Sequence, residues 1–170
     1  MNAARTYLDY NATSPLRPEA RQAVMAALDT CGNASSVHAE GRRARAMIET
    51  ARVEIAEFSG ATTRDVIFTS GATEAANWVM AQPWRAVIVS AVEHPAVMTP
   101  ALRSGARLSL IGVDKSGCID LDELGQLIDK VSSNGDATAN EGADAGRVLV
   151  AVQFANNETG VIQPVKEIGE

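Results

Sequence analysis

The chain has 170 residues, 46% of them hydrophobic and 21% charged, with 15 basic against 21 acidic side chains and a net charge of -6. That length suits one domain with a real core and is short for two. The acidic balance, with a pI near 5.0, argues against a nucleic-acid binder, which carries a basic face, and gives no attraction to an anionic membrane. Cys31 and Cys118 are too few and too far apart for a disulfide framework or a metal site, so no metal is expected and a reducing, cytoplasmic setting follows. Met1–Asp9 contains no apolar signal segment, and the longest apolar stretches, Ala86–Val92 and Val148–Val152, fall far short of a membrane span.

In chain order, Pro18 before Glu19 predicts a helix start, because proline at the first helical position forfeits no intrahelical bond. Ala20, Val24, Ala27 and Leu28 share a face, and Gly32 stops the run. A second helix is predicted over about Ala39 to Ser59. Its core stripe is Ala44, Met47, Ile48, Ala51, Ile55 and Phe58, and Gly60 ends it. Val66–Thr69 is the first of four candidate strands and runs into Ser70-Gly71 and the helix-forming Ala72–Ala76. Ala86–Val89, Leu108–Ile111 and Val148–Val152 are the others, with helical sequence from about Ala96 to Arg103 and over Leu121–Val131 between them. Apolar on both faces and separated by helices, these strands predict an α/β fold with a mainly parallel sheet flanked by helices.

Ser132–Gly146 has no large apolar residue and is predicted to be a flexible surface excursion rather than a domain boundary. Lys166, after Pro164, looks like the start of a further helix. The expected organisation is an N-terminal segment over 1–15, helices over 16–60 and an α/β region over 61–170.

Three polar clusters sit at predicted strand ends, where open parallel sheets bind ligands. In Phe68–Glu74, backbone N–H groups and hydroxyls meet at a helix N-terminus, an arrangement that binds phosphate. Taken alone, an ordinary helix cap is the simpler reading, since no dinucleotide or Walker glycine spacing is present. Val92-Glu93-His94-Pro95 follows the second strand. Its histidine can stack on a planar ligand, shuttle a proton or cap the next helix, and spacing supports these equally. Phe154–Gly160 follows the fourth strand with two amides and a carboxylate, or forms a plain turn. Gly32–His38 is a polar loop that caps the second helix or reaches into a pocket. The acidic run Asp114–Glu123 has its glycine fourth rather than sixth, so it reads as a turn and a capped helix, not a calcium loop.

Taken in order, Tyr7–Thr13, Gly32-Asn33 to His38, Phe68–Glu74, Glu93-His94 and Ala155–Gly160 resemble the N-terminal part of NifS-like cysteine desulfurases. These are pyridoxal-phosphate (PLP) enzymes of the class-V aminotransferase group. The resemblance implies the large domain of the PLP fold-type I architecture, truncated. It assigns Ala72 and Thr73 to the cofactor phosphate, His94 to the ring face and to proton movement, Asn157 to the ring's phenolic oxygen, and Asn33 to the substrate side. Ala34 stands where the family has proline, and Ala75-Ala76 replace residues that are often polar, but neither change touches an assigned contact.

The resemblance further implies conversion of L-cysteine to L-alanine, with the sulfur left as a persulfide for iron–sulfur or related assembly. It also implies a sulfur-acceptor scaffold partner and a homodimer. The cofactor-holding lysine, the aspartate on the ring nitrogen and the nucleophilic cysteine are expected beyond Glu170. None of Lys115, Lys130 and Lys166 has Ser-x-His-Lys surroundings, so the 170 residues alone are not expected to desulfurate cysteine. A selenocysteine lyase, another aminotransferase, or a non-catalytic module binding PLP or a partner are the alternatives.

Overall fold

A computed structural model describes residues 6–133 and 146–169. It forms two compact units, Met1–Phe68 and Thr69–Glu170. In the first, α1 (Pro18–Leu28) begins with its proline at the first turn, and α2 (Ala39–Ser59) is capped at both ends. His38 accepts from the Gly41 amide at 3.4 Å and so caps the start of the helix. Gly60, at φ 69, takes the left-handed conformation that ends the helix.

Two expectations fail in this unit. The predicted core stripe of α2 is not a core: Met47, Ile48, Ile55 and Phe58 are exposed, Phe58 at 94%, while the buried helix residues are Gly41 and Ala56. The two buried residues lie outside the predicted stripe, whose larger side chains are left exposed. Nor is Val66–Thr69 a strand, since Ile67 is 60% exposed and the segment joins no ladder among the described residues. Arg52 takes its place as partner, donating to the Val66 carbonyl and lying 4.9 Å from the Phe68 ring centroid.

The second unit contains α3 (Ala72–Met80), β1 (Ala86–Ser90), α4 (Pro95–Arg103), β2 (Arg107–Ile111), α5 (Leu121–Ser133), β3 (Val148–Ala151) and α6 (Val165–Ile168). The strands form a parallel sheet in the order β2-β1-β3, with Ala86 level with Arg107 on one side and Val148 on the other. Every residue of β1 is buried, as a central parallel strand requires. On one face Val87 and Val89 pack with Met80 of α3 and Val97, Met98 and Ala101 of α4. On the other, Ala86 and Ile88 pack with Leu124, Leu127, Ile128 and Val131 of α5. The α/β prediction therefore holds, but β2 is not apolar-buried on both sides: as an edge strand it leaves Leu110 51% exposed.

Asp114 Oδ1 accepts from the Ser116 hydroxyl at 2.6 Å and from the Ser116 and Cys118 amides. Asp120 Oδ1 accepts from the Asp122 and Glu123 amides. These carboxylates shape a turn and cap α5, as the sequence reading of this acidic run requires. The excursion expected at Ser132–Gly146 falls mostly outside the described residues, although Ser132 and Ser133 complete α5. Among the described residues no helix is long and apolar enough to cross a membrane.

Candidate active site at the carboxyl end of the sheet

The chain leaves β1 toward α4 on one face, whereas β2 and β3 lead to α5 and α6, which pack on the other. Such a divergence opens a crevice beyond the carboxyl end of β1, the usual ligand position in open α/β sheets. Ser90, fully buried, ends the strand there and turns the chain: its carbonyl accepts from the Glu93 amide and its hydroxyl from the Val92 amide, both at 3.2 Å.

His94 is the N-cap of α4, with Nδ1 accepting from the Ala96 amide at 3.0 Å. With Nδ1 held as an acceptor, the neutral ring carries its proton on Nε2. The capping role and an exposed ring face coexist, because the cap uses one nitrogen at the ring edge. Next to it, burial pushes the half-buried Glu93 carboxyl above its ordinary range; the Gln153 amide hydrogen bond and the charge of His94 offset this only in part.

Asn157 lies in the turn after β3, exposed, with Nδ2 donating to Glu158 Oε1 at 2.8 Å. The turn is built by its neighbour. Asn156 is 9% exposed, and its Oδ1 accepts from the Glu158 and Thr159 amides, both at 2.9 Å. Asn156 Nδ2 donates to the Val92 carbonyl at 3.1 Å, and Gln153 Nε2 donates to the same oxygen at 2.6 Å. The loops carrying His94 and Asn157 are thus fastened together. Glu93 and Asn156 fall within the polar clusters legible in the sequence but carry no role there, and Gln153 falls outside them.

Ala72 and Thr73 occupy the first turn of α3. α3 ends just before the chain enters β1, its last-turn Met80 packs with Val87 and Val89, and the helix lies against α4, which leaves its N-terminus at the end of the helix away from the start of β1. Gly71 is its N-cap, no side chain caps it, and a Cβ at Gly71 would meet no heavy atom within 4 Å. The leading amides, with the Thr73 hydroxyl, therefore form an open donor set suited to an anion such as a phosphate. Glu74 is engaged at Ser70, whose hydroxyl and amide both donate to Oε2 at 2.6 Å and hold its carboxyl below the ordinary range. Because Val66–Thr69 is extended loop, this cluster follows no sheet strand, contrary to the sequence expectation.

Asn33 has local partners of its own. It belongs to the first unit, where its Oδ1 accepts from the Ser35 amide at 2.9 Å and its carbonyl from the Ser36 amide. Among the described residues no cluster of side chains could hold a metal ion.

The aminotransferase class-V profile matches residues 6–170, almost the whole chain. The chain belongs to that family. Within the class-V group it is 37% identical over 175 residues to cysteine desulfurase IscS 1 of Archaeoglobus fulgidus, covering 96% of this chain and 42% of the relative. Cysteine desulfurase IscS of Dictyoglomus turgidum is 35% identical, with 96% and 41% covered. A NifS-like protein from Rickettsia africae superposes with a TM-score of 0.80 at 33% identity, over 96% of this chain and 43% of that one. The sheet and helices are therefore those of NifS-like class-V enzymes, and the chain spans about two fifths of the length of the relatives it matches.

Proposed function

We propose that this chain forms the front part of the PLP site of a cysteine desulfurase, an enzyme that converts L-cysteine to L-alanine and passes on the sulfur. The observation that carries the reading is the fastening of the His94 and Asn157 loops beyond the ends of β1 and β3, in the same unit as the open amides of α3. The donor set fits the cofactor: amides and a hydroxyl at a helix start for the phosphate, a ring edge-anchored at its cap for the pyridine face, and an amide for the phenolic oxygen. When bound, PLP supplies the electron sink for bond cleavage at the substrate's α-carbon.

In this arrangement the Ala72 and Thr73 amides and the Thr73 hydroxyl bind the phosphate, and Asn157 orients the ring. His94 covers one ring face and holds or moves a proton at Nε2, because Nδ1 is committed to Ala96. Asn33 serves the substrate side. A homodimer, a sulfur-acceptor scaffold protein for iron–sulfur assembly and a cytoplasmic location complete the reading. None of the three lysines stands in a Ser-x-His-Lys motif, so the 170 residues alone should not release alanine from cysteine.

Absorbance titration with pyridoxal 5′-phosphate tests the reading. Thr73→Val removes one charge-assisted bond and should weaken saturable binding about tenfold. His94→Asn keeps a capping oxygen while removing the ring, and should weaken it comparably. Absence of saturable binding, or affinities unmoved in both variants, removes the assignment.

A further inference from the structure

Four hydrogen-bonding groups close a ring between two loops that lie about 60 residues apart in sequence. On the β1 side they are the Val92 carbonyl and the Glu93 carboxylate; on the β3 side they are Gln153 and Asn156. Gln153 is held twice, its side chain donating to Val92 and its backbone N–H to Glu93 Oε1. Asn156 is held at the same carbonyl and itself holds the amides of the turn that carries Asn157. His94 directly follows Glu93, and its ring is pinned to the start of α4. A shift of either loop is therefore transmitted to both His94 and Asn157.

Glu93 stands out in this ring. It is a half-buried carboxylate that accepts from a neutral backbone amide, and beyond the charge of the adjacent His94 no cationic side chain pairs with it among the described residues. Burying an acid costs free energy that a neutral acceptor avoids, so its place is not explained by stability alone. We infer that Glu93 is a positioning residue: through the Gln153 amide it sets the separation of His94 and Asn157 across the ends of β1 and β3. The inference rests on the proposed cofactor site only for the identity of the ligand.

The test compares Glu93→Ala and Glu93→Gln in the 170-residue protein by two readouts. One is amide hydrogen exchange at Gln153, Glu158 and Thr159; the other is affinity for pyridoxal 5′-phosphate beside inorganic phosphate. Glu93→Ala should speed exchange about tenfold at all three amides, the loss expected for a bond to a charged acceptor. It should weaken pyridoxal 5′-phosphate by a similar factor and leave inorganic phosphate unchanged, since Ala72 and Thr73 lie outside the ring. Glu93→Gln retains an acceptor oxygen, though a neutral one, and should restore most of both. Faster exchange at Gln153 alone, or a glutamine variant as impaired as the alanine one, overturns the inference. If the parent binds no pyridoxal 5′-phosphate, the cofactor reading fails separately, and exchange at Glu158 and Thr159 still decides the positioning role. Should Glu93→Ala not fold, Glu93→Asp, one methylene shorter, carries the same comparison.

Discussion

Asn156 and Asn157 are adjacent and chemically identical, yet the structure gives them opposite duties, which makes their alanine variants a sharp test. Asn156→Ala deletes three side-chain hydrogen bonds: one to Val92 at 3.1 Å and two from the Glu158 and Thr159 amides at 2.9 Å. At about 0.5–1.5 kcal/mol each, and with the exposed turn amides regaining water, the loss is about 2–3 kcal/mol. Val92 keeps Gln153 as a partner, so no buried acceptor is orphaned. Asn157→Ala alters an exposed side chain and should cost under about 0.5 kcal/mol, the range of ordinary surface substitutions. Both tryptophans, Trp78 and Trp84, lie in the unit Thr69–Glu170, so urea unfolding followed by tryptophan fluorescence reports on that unit. With a urea slope of about 1–3 kcal/mol per molar, Asn156→Ala should lower the midpoint by about 0.7–3 M. Equal midpoints for the two variants would refute the assignment of the structural role to Asn156.

Glu93→Gln should have a pH-dependent effect. Burial raises the native carboxyl above its ordinary 4.5, so the folded state holds its proton more tightly than the unfolded one, and the parent loses stability as pH rises from 4.5 through the raised value. The glutamine variant lacks that loss, so its midpoint advantage should open across this window; a gap that is constant between pH 4 and 7 contradicts the burial argument. In the first unit, Gly41→Ala places a Cβ 2.4 Å from the Ser36 carbonyl oxygen and 2.6 Å from that of Asn33. Backbone must move, at a cost of about 1–3 kcal/mol, and circular dichroism should show earlier loss of helix on heating. An unchanged thermal midpoint would mean that the Asn33–Ser36 loop does not pack on α2 as described.

Local chemistry made much of the fold legible. Pro18 marks the start of α1, Gly60 the end of α2, and the apolar run at Ala86 the central strand, because each signal acts within a few residues. Signals that depend on distant partners were harder to read. The α2 stripe told which face is apolar but not what covers it, and Val66–Thr69 has strand composition while its partner is an arginine on α2. The residues nominated for the site were all loop or helix-start positions. The clamp that fastens two of those loops joins Val92-Glu93 to Gln153 and Asn156, and a hydrogen bond over 60 residues leaves no periodic trace. Nothing local in Asn156-Asn157 says which amide turns inward.

The central claim is that Ala72, Thr73, His94 and Asn157 share one ligand. An amide and side-chain NMR titration of the protein with pyridoxal 5′-phosphate tests it most directly. Saturable shifts should converge on the Ala72 and Thr73 amides, the His94 ring and the Asn157 side chain, with one common dissociation constant. Shifts confined to α3, or saturating at different concentrations for α3 and for the two loops, would contradict it.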